Sequence, residues 1–532
     1  MNKIKELTEK ISWRVVIYTF LFCVISGINQ RIHTASPLAG WRETFRDMTG
    51  LVIGVLILMH YTKAEILKYR KYHLIWTVIG SITSVVLFFT YLERLYFPHD
   101  KFVMALDIFL WGFVLIQTFM TVFKERRCPK FHKGFAIIWA AMSAFMILSR
   151  DDSMWPMAYT VMFACFYATD FSKRDREQMF QGLLNGLILS FFAFQGLAFL
   201  HRPFDRARYL GWFTNSNNNV LFYCFVLAAV LVKLYMCYQK NTNKWWKLYY
   251  WLGVGTVFSF VILTIGRIGW ITSFVLAFLF LIFAKKDFGK KIIRTGLVVI
   301  LCTAITFPLC FAAVRYIPPI RHHVYWFFGE YGDDRVNSND PWDSEKYIEL
   351  DEFAESALGR IATSFMELWE NSPFVMELDA AEVSSEALEK EQETDPRFIP
   401  ALDNEYRENG YMIRTTIYKY FFKNLNLMGH PSEEIGFQLL EGYWIGHAHN
   451  IYLQFGTQFG IPMMILFIVL LIGAMRETLR KFRQTRSIEA MGNFYLILIP
   501  ALFGLFEYCW GAGSLTLTLL YVALRMAVVK EE

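Results

Sequence analysis

Apolar segments of membrane length recur along almost the whole chain, and no other feature limits its fold so strongly. A helix needs roughly 20 apolar residues to cross about 30 Å of hydrocarbon. Segments near 13–29, 48–61, 74–92, 102–123, 134–148, 154–171, 179–200, 219–238, 248–265, 268–284, 293–313, 451–475, 493–510 and 512–529 fit that description, with 48–61 and 134–148 the shortest. They predict an all-α polytopic membrane protein with about fourteen transmembrane helices. Composition points the same way. The chain is 55% hydrophobic and 19% charged, where soluble domains carry about 25% charge. The first apolar run follows Lys3, Lys5 and Lys10 as a secretory signal would, but SGINQRIH after it offers no small-x-small cleavage site. It reads as an uncleaved first helix. Of the eight cysteines none falls in the long polar segment 314–446, so a disulfide framework is not expected there.

Lys and Arg accumulate in cytoplasmic loops, and their count over short loops sets the orientation. The N-terminus, 62–73 (Lys63, Lys68, Arg70, Lys71), 124–133 (Lys124, Arg126, Arg127, Lys130, Lys133), 172–178, 239–247, 285–294 and 476–487 are all basic. About thirty Lys and Arg fall on that side, against about ten in the short loops opposite. Both termini are therefore expected in the cytoplasm, in a multi-pass cytoplasmic membrane protein. The cluster Trp245, Trp246, Tyr249, Tyr250 and Trp251 stands where an interfacial aromatic belt belongs.

The same parity places 314–446 outside, with 26 acidic against 11 basic residues. Apolar residues recur at helical spacing over 352–370 and 411–425. A mostly helical extracytoplasmic loop domain is expected, with 377–396 a solvated helix or mobile insertion. Four regions follow: N-terminal transmembrane helices (1–178), central transmembrane helices with arginine-bearing outer loops (179–313), the acidic loop domain (314–446), and a His-Asn motif with the C-terminal helices (447–532).

Unusual residues collect on the outer side. His447 and His449 precede Asn450 at the membrane edge, and a histidine there can serve as a general base near neutral pH. On a helix the two would face apart, while on an extended segment they would face together and could share a metal. The structural alternative is that His449 and Asn450 cap the following helix. Arg267 sits in a near-absent connection between two spans, beside Gly266 and Gly269. It reads as an anion clamp or as a snorkelling interfacial arginine. Arg202, Arg206 and Arg208 break the positive-inside pattern in a loop that also holds Asn215 and Asn217. Arg360 and Arg414 each stand on an amphipathic stretch of the large loop. Asp107, Lys233 and Glu507 are ionisable within apolar runs. Lys233 is expected to snorkel, and Asp107 and Glu507 to pair with outer-face arginines or make a structural bundle contact.

Three motifs in this order resemble those of the O-antigen ligase and polymerase family of bacterial membrane glycosyltransferases. They are Arg208-x-x-Gly211-x-Phe213-x-Asn215-x-Asn217, Thr264-x-x-Arg267-x-Gly269, and His449-Asn450-x-Tyr452-Leu453-Gln454 followed by Gly460-Ile461-Pro462. Arg414 to Gly429 is similar to the segment that precedes the last of these. The resemblance covers roughly 180 to 480; the acidic stretch 325–405 and a span number above the family's twelve or so depart from it. It implies transfer of a glycan from a polyprenyl diphosphate carrier to an acceptor hydroxyl at the outer leaflet, without metal or other cofactor. The acceptor is a glycan, a lipid or a wall polymer. On that reading His449 is the catalytic base, Arg208, Arg267 and Arg414 bind the diphosphate, and Asn450, Asn215, Asn217 and His447 support them. Nucleic acid is not an expected partner. The alternatives are a lipid-linked oligosaccharide flippase and a scaffold whose acidic domain binds a partner. The absence of an internal repeat and the clustering of charges at one face speak against the flippase.

Overall fold

The computed structural model describes residues 12–27, 42–90, 101–151, 155–199, 204–205, 208–211, 213, 216–285, 292–321, 350–370, 414–431, 434–438, 444–508 and 514–530. Arg202, Arg206, Asn215 and the acidic stretch 377–396 lie outside them. The helices are α1 (Trp13–Gly27), α2 (Arg42–Leu58), α3 (Lys63–Lys68), α4 (Arg70–Thr90), α5 (Lys101–Phe119, running into a π turn over Met120–Lys124), α6 (Lys133–Leu148), α7 (Trp155–Ala168) and α8 (Lys173–Ala198). They continue with α9 (Ser216–Gln239), α10 (Lys244–Leu263), α11 (Arg267–Phe283), α12 (Ile292–Arg321), α13 (Leu350–Glu370), α14 (Arg414–Lys423), α15 (Ile451–Phe459), α16 (Ile461–Thr485), α17 (Ile488–Phe503) and α18 (Leu515–Val528). Short strands form three antiparallel pairs: β1 (Lys130–Phe131) with β6 (Val529–Lys530), β2 (Phe204–Asp205) with β3 (Arg208–Tyr209), and β4 (Phe437–Gln438) with β5 (Trp444–Ile445).

Among the described residues, seven helices are long and apolar enough to cross a membrane: α4, α5 with its π turn, α8, α9, α10, α12 and α16. The apolar helices α1, α2, α6, α11, α17 and α18 are shorter. The outer helices need an apolar solvent. Helix α4 exposes Leu74, Val78, Ile82, Val85 and Phe89 along its length, a surface that lipid satisfies and water does not. Helix α9 is apolar all round, and accordingly every residue from Asn219 to Cys237 is buried. It runs through the middle of the bundle, enclosed by α8, α10, α11 and α17. Lys233, expected to snorkel, is held inside instead, where its Nζ donates to Gln181 Oε1 at 2.9 Å. Asp107 lies against Gly50 of α2.

The predicted span 451–475 is two helices. Gly460 separates α15 from α16 with a φ of +98°, a conformation that favours glycine. Pro462 then supplies no amide hydrogen in the first turn of α16. The break packs closely: a Cβ at Gly460 would lie 2.2 Å from the carbonyl oxygen of Leu427.

The two ends of the bundle separate cleanly by contact. At one end the basic turns touch one another. Arg127 pairs with Glu65 at 2.5 Å, Lys68 with Glu125 at 2.6 Å, and Arg14 with Asp175. Gln239 donates to the carbonyl of Arg486, Arg486 to that of Phe283, and β1 pairs with β6. At the opposite end, 150–151 meets 428 and 458, 208 meets 264, and 217 meets 507.

Candidate functional site

The site is assembled at the end opposite the basic turns, and its centre is Glu507. This residue lies just past the last turn of α17 and is 8% exposed. Three side chains from distant parts of the chain converge on its carboxylate. Asn217, in the first turn of α9, donates its Nδ2 to Oε1 at 2.5 Å. Arg414, the first residue of α14, donates an Nη to the same oxygen at 2.5 Å. Nδ1 of His449 lies 3.4 Å from Oε2. Burial disfavours an isolated charge, and the Arg414 and His449 contacts compensate this carboxylate for its lost water.

Each partner is positioned for a local reason. Helix α14 buries Ile417 and Phe421, one turn apart, in a small core with Ile435, Phe437, Ile445 and Ala448. Arg414 and Tyr418, also one turn apart, occupy a different stripe and face Glu507 and its surroundings. Tyr418 donates to the carbonyls of His449 (3.2 Å) and Leu505 (3.3 Å). Asn450 is the N-cap of α15, accepting from the amides of Tyr452 and Leu453 at 3.0 Å each. Its Nδ2 donates to the Leu505 carbonyl at 2.9 Å, which ties the cap to the segment that carries Glu507. The capping expectation therefore holds for Asn450. His449, immediately before the cap, has a φ of +47°. This is a left-handed conformation that non-glycine residues adopt at some cost, held here by the bonds on either side of it.

The two histidines follow neither the helical nor the extended expectation. The turn at His449 brings their ring centroids to 4.1 Å, edge to face, and the His447 ring stacks on Tyr508 at 5.8 Å. With Nδ1 of His449 donating to Glu507, its Nε2 is the basic nitrogen left to meet a substrate. The His449 side chain is 32% exposed.

Arg208 comes to the same end on the β2–β3 hairpin. Its neighbour Tyr209 is fully buried and donates to Gln195, which donates to Tyr223, which also accepts from Asn219. The first of these bonds ties the hairpin to α8 and the second ties α8 to α9, while the third lies within α9 and orients Tyr223; an interhelical bond of this kind contributes about 0.6 kcal/mol. Arg208 then donates to Asn217 Oδ1 (3.4 Å) and to the Thr264 carbonyl (3.5 Å). Thr264 begins the turn in which Ile265 has a φ of +48° and after which Arg267 opens α11. Gly269 serves helix packing there: a Cβ would fall 2.0 Å from Val220 Cγ2, so α11 can approach α9 only with glycine at this position.

The structure thus brings together Arg208, Asn217, Arg414, His449 and Asn450, with His447 stacked alongside and Arg267 one short turn from Arg208's partner Thr264. Arg360 is exposed on α13. The expected pairing of Glu507 with an outer-face arginine is met by Arg414; what the sequence does not indicate is that this carboxylate stands at the centre of the cluster, although an acidic side chain in an apolar run is a signal for a functional site. Tyr418 carried no comparable signal. No family model matches the chain, and no curated protein is significantly similar to it.

Proposed function

We propose that this protein is a membrane glycosyltransferase that moves a glycan from a polyprenyl diphosphate to an acceptor hydroxyl at the outer face of the cytoplasmic membrane. The carrying observation is the convergence of His449, Arg414 and Asn217 on one buried carboxylate at the end away from the basic turns. On this reading the basic turns face the cytoplasm, the fourteen apolar segments span the membrane, and 314–446 forms the outer domain.

The acceptor oxygen attacks the anomeric carbon, and the bond from that carbon to the diphosphate oxygen breaks. The hydroxyl proton passes to Nε2 of His449. Glu507 holds the ring through Nδ1 and stabilises the imidazolium that forms, as a carboxylate does in hydrolytic triads. The leaving polyprenyl diphosphate gathers negative charge, which guanidinium groups meet in a bidentate fork. Arg208, Arg267 and Arg414 supply those groups, and a guanidinium has five donors, so Arg414 can bond both Glu507 and a phosphate.

The test uses purified protein in nanodiscs with a polyprenyl-diphosphate oligosaccharide, the lipid-linked products being followed by mass spectrometry. Longer glycans on the same lipid identify a polymerase. Donor loss only when a second acceptor is added identifies a ligase. Full activity in His449→Ala overturns the assignment, and donor transport across vesicles without consumption replaces it with a flippase.

A further inference from the structure

Helix α13 (Leu350–Glu370) separates its residue types by face. At about 100° per residue, Phe353, Ala357, Leu350, Ile361, Ala354 and Leu358 fall within one arc of about 140°. Asp351, Glu352, Glu355 and Arg360 fall outside it. The arc is used in two halves. Along one edge Phe353 is buried and Ala357 half-buried, both against the main core. Along the other, Leu350, Leu358 and Ile361 are exposed. An exposed apolar edge on an amphipathic helix calls for an apolar partner.

The buried edge fixes the level at which α13 lies. The Phe353 ring rests on those of Phe307 and Phe311 of α12, at 5.9 and 6.0 Å between centroids. Helix α12 is long and apolar enough to cross a membrane, and its apolar segment 293–313 ends just beyond these two residues. At 1.5 Å per residue, Phe311 and Phe307 lie about 3 and 9 Å inside that end. An amphipathic helix in a membrane interface buries its apolar face by about 5–10 Å, which is the same level. Leu309, between the two phenylalanines in sequence, is exposed, as are Leu301 and Ile305 before it. Helix α13 therefore lies beside a lipid-facing stripe, at the depth of an interfacial helix. Charge narrows the partner further. The polar face of α13 sets Asp351, Glu352 and Glu355 against Arg360, within a segment of 26 acidic and 11 basic residues. Anionic headgroups repel such a face, so apolar burial has to hold it.

We propose that α13 is an interfacial anchor, lying in the leaflet at the end opposite the basic turns with Leu350, Leu358 and Ile361 among the acyl chains. It ties the acidic segment 314–446 to a surface from which charge alone would push that segment away. The anchor does not depend on which reaction the cluster at Glu507 performs.

The experiment encodes p-benzoylphenylalanine in the full-length protein, in place of Leu358, Ile361 or Glu355 in turn. Each protein is irradiated in nanodiscs of phosphatidylcholine, with and without phosphatidylglycerol. Benzophenone inserts into C–H bonds and not into water, so phospholipid adducts seen by mass spectrometry report acyl contact. Adducts are expected at 358 and 361 and absent at 355. With the probe at 361, Leu358→Glu should lower the adduct yield roughly tenfold, and Glu355→Gln should leave it unchanged. Phosphatidylglycerol should leave the yield unchanged or lower it, and salt should not release the contact. No lipid adduct at 358 and 361, adducts there to protein alone, or equal lipid adducts at all three positions overturns the proposal. So does a yield that rises with phosphatidylglycerol and falls with salt, which would mark a contact made by charge.

Discussion

The two ends of the bundle use the same residue types to opposite effect. At the basic end, carboxylates are distributed: Asp175 takes Arg14 with His60 at 3.2 Å, Glu125 takes Lys68, and Glu65 and Asp170 share Arg127. These pairs join the start of α1, α3, the turns after α2, α5 and α7, and the first turn of α8, and they read as fastenings. At the other end a single buried carboxylate collects Arg414, His449 and Asn217, with Arg208 bonded to that asparagine. A dispersed set of pairs stabilises helix ends. A convergent set around one carboxylate, with further arginines nearby, holds a base in a fixed orientation and keeps cationic donors for an anionic ligand.

The sharpest way to break the comparison is His449→Ala, which should lower turnover by roughly 10²–10⁴-fold and leave donor binding nearly unchanged. Loss of binding in proportion would instead mark His449 as a ligand contact. Next is Glu507→Gln, which keeps the shape and removes the charge. Turnover should fall by about 10²-fold, while Glu65→Gln at the opposite end leaves it alone.

A packing change sharpens the distinction between site and scaffold. Gly269→Ala places a methyl group against Val220 and should cost about 1–3 kcal/mol. It should also raise the donor KM by displacing Arg267, and Val220→Ala in the same chain should restore both. The smallest effect belongs to Glu65→Gln. That pair is 28% and 40% exposed at its two side chains, and such pairs contribute roughly 0.2–1 kcal/mol. A thermal shift with unchanged turnover is expected, and a turnover defect would mean that the basic end also controls the reaction.

Much of this was legible in the sequence, because lipid is an unforgiving solvent. Apolar length identified helices, and the alternation of basic turns divided the loops into two sets; the contacts in the structure fall within each set. The amphipathic stretches 352–370 and 411–425 became α13 and α14. His449 and Arg208 stand out because polar side chains at a membrane edge are few, while Arg414 and Asn217 join them through the resemblance of their motifs. What sequence order hides is distance. The sequence suggests an arginine partner for Glu507 but not that residues 217, 414 and 449 all meet it, and only the packing of α9, α14, α15 and α17 around one point decides that. The break at Gly460 has the same character. It arises where a helix is fastened to one neighbour rather than another, a choice made by residues far apart in the chain.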